Sequence, residues 1–526
     1  MKSAPEAFDN TDTISRLVSF SDREGAGSRP ILMSFLRACA SSFAKSPLPG
    51  LGAITALAVL VHGYHLGVDD SAIYVPAIKR VADPDLYPFG AQFFMSHAHL
   101  SMFSNLVGGS ARLSHLSIDL VIFAWHVGTI FLLLLAAWQL LGTCFESSYA
   151  RWSGVAILAA TLSVPVAGTA LAIMDPYLTA RSLSTPATLF AVACYLSRRP
   201  WRTVAWLILT AAVHLQMAVY GLLFIGGMEL VRRRALREVA QPVLGATIGL
   251  PFLSNFAPVQ GPARECLLSR TFFFVSTWAW YEWAGVFAPL ALLWCFSKVS
   301  PRNALPAFRE LARTLVPFGL LFTMAAVILT IPALEGYTRL QPMRSFHLLY
   351  VIFFVLLGGL IGEYWIKTST WRWMALFVPL ALVMVLVQQS TFPASQHVEW
   401  PGSNNGNSWM SAFLWIRSHT PKDAVFAIDP YYMTRPGEDA HGFRAVAERS
   451  VLADFVKDSG AVSLFPKLAP EWQRQVNAER GLDGFAPADF QRLVKQYPVT
   501  WILTTQPGPP GMVCPYRNSE LAVCRL

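Results

Sequence analysis

Apolar residues fall along the chain in blocks of about 15–25, separated by short segments that carry most of the charge. Blocks of that length match transmembrane helices, which need about 20 apolar residues to cross the hydrocarbon core. The pattern predicts spans at 50–68, 117–141, 152–173, 183–197, 238–257, 271–296, 314–332, 346–363 and 373–391. A further apolar stretch, 203–231, is too long for one upright helix and short for two. His214 and Gln216 lie near its middle. A break at His214 keeps Arg198, Arg199 and Arg202 on the same side of the membrane as Arg232, Arg233 and Arg234, as the positive-inside bias favours. The expected fold is therefore mostly α, a polytopic transmembrane helix bundle of about 11 spans.

Charge sets the frame of this bundle. Lys and Arg number about twenty on one side and about eight in the short loops of the other, which places the amino terminus inside and the carboxyl terminus outside. Residues 1–48 read as a cytoplasmic tail, within which Ile31–Phe43 can form a short interfacial helix. Residues 49–391 form the membrane domain, with 69–116 as a long first outer loop. In this frame Asp69, Asp70, Asp175, Arg181, His214, Arg264, Glu265, Arg270, Glu335, Arg339 and Arg344 face outward. Residues 392–408, rich in Pro, Gly, Ser and Asn, read as a linker. Beyond it, 409–526 alternates helices (Trp409–Ser418, Pro487–Lys495) with strands (Ala424–Ile428, Val499–Thr504, Leu521–Leu526). That alternation predicts a small extracytoplasmic α/β domain.

Composition agrees: 54% of the 526 residues are hydrophobic and only 14% are charged. The net charge of +9 does not indicate nucleic acid, because its Lys and Arg lie between apolar runs and not in a basic tract interleaved with aromatics. Nor do the seven cysteines form a CxxC or Cys/His metal spacing. Cys144, Cys194 and Cys295 belong to apolar runs and read as packing residues. Cys514 and Cys524 bracket a terminal hairpin in the outer domain, where an oxidising compartment favours a disulfide.

The feature around which the chain is organised is Asp69-Asp70, two adjacent carboxylates at the mouth of the first span. They are followed by Tyr74, Lys79, Arg80 and Asp83-Pro84-Asp85-Leu86-Tyr87-Pro88. Ionisable groups held beside a bilayer are candidates for function. A first span, then an outward acidic pair, a long aromatic loop, many further spans and a C-terminal outer domain together resemble the GT-C class of glycosyltransferases. Met174-Asp175-Pro176-Tyr177 with Arg181-Ser182-Leu183, and Arg339-Leu340-Gln341-Pro342-Met343-Arg344, are similar to segments of uncharacterised bacterial membrane proteins distantly related to that class. So are Trp415-Ile416-Arg417 with Thr420-Pro421, and Phe443-Arg444-Ala445 with Glu448-Arg449-Ser450. The chain carries no WWDxG-type motif of the oligosaccharyltransferases, which argues against protein N-glycosylation.

The resemblance implies a polytopic enzyme of the bacterial inner membrane that uses a lipid-linked sugar donor on the outer side. Such a reaction needs a base for the acceptor hydroxyl and cations for the phosphate leaving group. Asp69 or Asp70 is the expected base. The alternatives are oxygen ligation of a divalent cation by the pair, and a plain helix stop that touches headgroups. Arg264, Arg270, Arg339, Arg344, Lys79 and Arg80 are candidates for the phosphate, with Arg339 and Arg344 favoured because they flank Gln341-Pro342 ahead of a span. Asp175 with Arg181 reads either as a loop-fixing ion pair or as a substrate contact, and His214 as a helix-vertex residue facing the same cavity. His62 and His65, three apart, share a helix face, whereas His97 and His99, two apart, do not, and the four read as interfacial hydrogen bonders and not as a metal site. Trp278–Trp283 reads as an interface belt. The expected partners are a lipid-linked sugar donor and membrane lipids. The rival readings are a transporter or flippase, which would show internal repeats and midplane charges, and an assembly protein that binds through the outer domain.

Overall fold

In a computed structural model, residues 46–233, 259–298, 301, 303–403 and 407–526 are described. The predicted tail helix at 31–43 and the span at 238–257 lie outside them. The chain is an α-helical membrane protein with a small mixed sheet near its C-terminus. Five described helical segments are long and apolar enough to cross a membrane: Ile118–Cys144, Leu215–Arg232, Pro306–Ile328, Pro332–Ile366 and Thr370–Thr391. Helices Leu48–His62, Ser148–Ala160, Ala180–Leu196 and Pro200–Val213 are shorter and pack against one another or against Ile118–Cys144.

Several boundaries differ from the sequence pattern. The first helix stops at His62 and not at the acidic pair, because Gly63 turns with φ +75°. A Cβ at Gly63 would come within 2.2 Å of the His397 carbonyl oxygen, so only glycine lets the linker approach so closely. Apolar residues 161–173 leave the helix that ends at Ala160 and form an irregular loop with a Pro165–Ala172 bridge. Residues 271–277 are 3-10 turns, and the helix begins only at Trp280. The apolar stretch 200–232 does break at His214, whose extended backbone separates two helices.

The membrane half is held by an apolar core that includes Leu134, Leu141, Phe145, Leu158, Phe308 and Phe346, all fully buried. Helix Phe346–Ile361 crosses Ser148–Ala160 closely. A Cβ on Gly358 would meet Gly154 Cα at 2.8 Å, a small-residue contact of the kind that lets membrane helices approach.

The C-terminal sheet has the order β2-β1-β3-β5-β4, with β1 Val425–Ala427, β2 Ser450–Val451, β3 Trp501–Thr505, β4 Tyr516–Arg517 and β5 Leu521–Arg525. β1 runs parallel to β2 and β3, while β5 is antiparallel to β3 and β4. Helix Ser408–His419 covers one face through Trp409, Phe413 and Ile416. A disulfide joins Cys514 to Cys524 beside β5. This unit is bound to the segment after the first helix by main-chain hydrogen bonds. Asp69 N donates to Ala440 O at 3.0 Å, and Gly442 N donates to Gly67 O at 2.9 Å. Tyr87 Oη donates to Arg444 O at 2.8 Å.

Candidate functional site

Three separate stretches of sequence build one polar cluster. The turn after the first helix supplies Asp69 and Asp70. The irregular loop before Ala180–Leu196 supplies Asp175 and Tyr177, with Arg181 in the first turn of that helix. The approach to helix Asp458–Leu464 supplies Lys457. Asp69 has φ +50°, a left-handed conformation unfavourable for a residue with a side chain. Its backbone bond to Ala440 O and its side-chain partners hold it there.

The two neighbouring carboxylates are held differently. Asp69 forms an ion pair with Lys457 and accepts a hydrogen bond from Tyr177 Oη at 3.1 Å. Asp70 has no such short contact. Its nearest cations are Arg181 Nη1 and Lys457 Nζ, each 3.6 Å away. Arg181 is committed on its other side to buried Asp175. The side chain of Asp69 is 45% exposed and that of Asp70 is 32%, so the pair lines an open surface and is not sealed in the bundle.

Around this pair stands a ring of further polar groups. Arg344, His97, Arg270 and Tyr74 all lie within electrostatic reach of Asp70. His214 and His347 lie within reach of Arg181 and Arg344. The His97 ring meets Tyr74 edge-on at 5.1 Å, and His347 Nε2 lies 2.9 Å from Ile173 O. Several of these groups have unspent hydrogen-bonding capacity. Arg344 Nε, Gln341 Oε1 and His97 Nδ1 are buried without a partner, and Arg344 enters no ion pair among the described residues. Buried polar atoms are normally satisfied, so such a set marks a place made for something else. The small cavity bounded by Phe272, Gln341, Met343 and Arg344 holds only about 10 Å³, room for a single water. An anion reaching Arg344 therefore requires the Gln341–Arg344 turn to shift.

The remaining sequence candidates are placed elsewhere. Of the favoured pair, only Arg344 has Asp70 in reach, whereas Arg339 lies beside Tyr337. Arg264 is half-exposed and pairs with Glu335 at 2.8 Å. Arg270 reaches across to the Val456 carbonyl and Ser459 Oγ, which ties it to the C-terminal unit. Arg80 donates to Tyr87 O at 3.3 Å. Lys79, expected to meet phosphate, is instead fully buried between Asp119 and Glu448, 2.8 Å from each. His62 is also a packing group, with Nδ1 2.7 Å from Ser163 Oγ and Nε2 2.8 Å from Ala159 O. Among the described residues no group of three or more His, Cys, Asp or Glu side chains is arranged to hold a metal ion.

Lys457 and His347 are the members of the cluster that the sequence did not single out. His347 was accessible to the rule that an ionisable residue inside an apolar span is a functional candidate. Lys457 had only Asp454 and Asp458 nearby to recommend it. That neighbourhood serves to hold Lys457 in place. Asp458 takes a two-pronged contact from Arg444 at 2.9 Å, and burial raises the Asp454 carboxyl to about 7, with the Asp458 charge acting in the same direction.

A family model described as a domain of unknown function (DUF6798) matches residues 407–478, a stretch that includes Lys457, Arg444 and Asp458. Comparison with curated proteins finds no match. Among solved structures, the chain is similar to the crystal structure of the Archaeoglobus fulgidus oligosaccharyltransferase in its apo form. The TM-score is 0.36 at 13% sequence identity, over 87% of this chain and 69% of that one.

Proposed function

We propose that this chain is a GT-C-like glycosyltransferase that moves a sugar from a polyprenyl-phosphate-linked donor to an acceptor hydroxyl on the outer side of a bacterial inner membrane. The observation that carries the reading is the convergence of Arg181, Arg344 and Lys457, from three distant parts of the sequence, on the partly exposed carboxylate of Asp70. The C-terminal unit, 409–526, would lie outside and complete that surface through Lys457.

In this reading Asp70 is the base. Its carboxylate is the one without a short partner, and it is free to accept the proton of an acceptor hydroxyl. As the acceptor oxygen bonds to the anomeric carbon, the bond from that carbon to the phosphate oxygen breaks. Its electron pair leaves on the polyprenyl phosphate. Arg344, whose Nε lacks a partner, and Arg181 would take up the charge that develops there, a task suited to a planar guanidinium. Asp69 acts through Lys457 and Tyr177 as a positioning residue. The ammonium of Lys457 already faces both carboxylates, which favours the base reading over shared ligation of a divalent cation.

The test is release of polyprenyl phosphate from a panel of polyprenyl-phosphate hexoses by the purified protein in nanodiscs. Asp70→Asn should lower turnover by about 10²–10⁴-fold, the usual contribution of a general base. Asp69→Asn should cost less. An Asp70→Asn protein with full activity would overturn the assignment, and a wild-type protein inert on every donor would return the chain to the transporter or assembly readings.

A further inference from the structure

A cavity distinct from the cluster at Asp70 borders the C-terminal unit. It holds about 400 Å³, within the range of small-molecule sites. It lies between the end of the first helix, the linker and helix Ser408–His419, and its walls include Tyr64, Glu399, Trp400, Trp415, Arg417 and Tyr516. Tyr64 and Leu66 border this cavity, while Asp69 and Asp70, a few residues on, belong to the other site.

Three features define what could fill it. First, the walls are aromatic. Trp415 is fixed in a stack with His419 at 4.7 Å and Tyr516 at 5.1 Å, whereas Trp400 is 52% exposed and meets Phe123 edge-on. Trp400 thus offers an indole face that nothing in the fold requires to be bare. Secondly, the charges at the rim are already neutralised. Arg417 pairs with Asp119 at 2.6 Å and with Glu448 at 2.8 Å, and Glu399 lies between two histidines. Among the described residues a charged ligand would find no free counter-charge here. Thirdly, Tyr64 is 1% exposed, yet its hydroxyl has no hydrogen-bond partner. A buried hydroxyl left unsatisfied is costly unless a ligand completes it.

We infer that this cavity is a binding site for a neutral saccharide of two or three units. Trp400 would stack on the C–H face of a pyranose ring. The hydroxyls of Tyr64, Ser403, Ser411 and Ser418 and the spare lone pairs of Asp119 would meet the sugar hydroxyls. Aromatic faces beside neutralised polar groups suit a molecule with both an apolar face and a polar rim. Binding here requires no transfer at Asp70, so the inference stands apart from the proposed reaction.

Saturation-transfer difference NMR on the full chain in nanodiscs, with maltotriose, cellotriose and chitotriose as probes, tests it. At least one trisaccharide should give transfer to its ring protons. Trp400→Ala and Tyr64→Phe should each weaken that binding by about tenfold or more, the loss expected for one well-placed contact. Trp400→Phe should retain most of it, and Asp70→Asn should bind as the wild type does. A thermal unfolding midpoint equal to wild type shows that each variant is folded. Absence of transfer with all three probes, or wild-type binding by both Trp400→Ala and Tyr64→Phe, would overturn the inference.

Discussion

Lys457 pairs with Asp69 and stands 3.6 Å from Asp70, so one ammonium from the C-terminal unit faces both carboxylates of the turn after the first helix. Burial draws that ammonium down to about 8. This contact makes the C-terminal unit part of the site and not an appendage to it. Without it, two adjacent carboxylates would repel each other with Arg181 as their remaining close cation.

In the proposed reaction Lys457→Met should leave the fold intact and lower turnover by about tenfold, the scale of one lost charged contact. The loss should appear in kcat while the thermal midpoint stays at the wild-type value. Lys457→Arg should restore most of the wild-type turnover. Wild-type kcat in Lys457→Met would show that the ammonium does not position the pair.

A second set of ion pairs joins the two halves. Lys79 and Arg417 each bridge Asp119 and Glu448, closing a ring of two cations and two anions at 2.6–2.8 Å. Lys79 is 1% exposed, so removing it leaves two carboxylates facing each other with Arg417 alone. Lys79→Ala should loosen the docking of the C-terminal unit by about 3 kcal/mol, as when one member of a buried pair is deleted. Limited proteolysis between residues 392 and 408 should then run faster than in the wild type. Lys79→Met should be no better, since it restores bulk without charge. Unchanged cleavage rates would show that the ring contributes little to docking.

How far the sequence foretold this arrangement depends on the kind of signal. Apolar blocks gave the bundle, and the alternation beyond residue 408 gave the helices at 408–419 and 487–496 and strands β1, β3 and β5 close to their observed bounds. β2 and β4 escape the pattern because two residues carry no period. The apolar pattern runs six residues past the end of the first helix, because Gly63 breaks it at a contact with distant His397 that no local pattern encodes. Asp69, Asp70, Asp175, Arg181 and His214 stand out in the sequence because they lie at predicted span ends. Lys79 looked the same in sequence yet is buried, because its partners Asp119 and Glu448 arrive from far along the chain. Local polarity marks a boundary, but only tertiary pairing tells whether a cation is spent or available.

The linker is fastened by a pH-sensitive contact. Glu399 Oε1 lies 2.8 Å from His441 Nε2 and 3.3 Å from His65 Nδ1, while its Oε2 accepts from Leu66 N at 2.9 Å. His441 Nδ1 faces the Glu438 carbonyl at 2.8 Å, an acceptor only, so both ring nitrogens donate and the ring is an imidazolium. Burial opposes charge on both partners. The attraction prevails, holding Glu399 down to about 2 and His441 above its ordinary 6.5. The signs then follow. Glu399 contributes stability that is present above pH 4.5 and lost as pH falls towards 2. His441 contributes stability that is full below pH 6.5 and lost as pH rises through its raised value. The contact is strongest between these limits, so the thermal midpoint of the C-terminal unit should fall as pH climbs from 6 to 9, by about 4 °C for each kcal/mol lost. His441→Gln should lower the midpoint at pH 6 and flatten its dependence over that range. A wild-type midpoint flat from pH 6 to 9, or a His441→Gln protein with the wild-type slope, would show that the pair stays neutral and only packs.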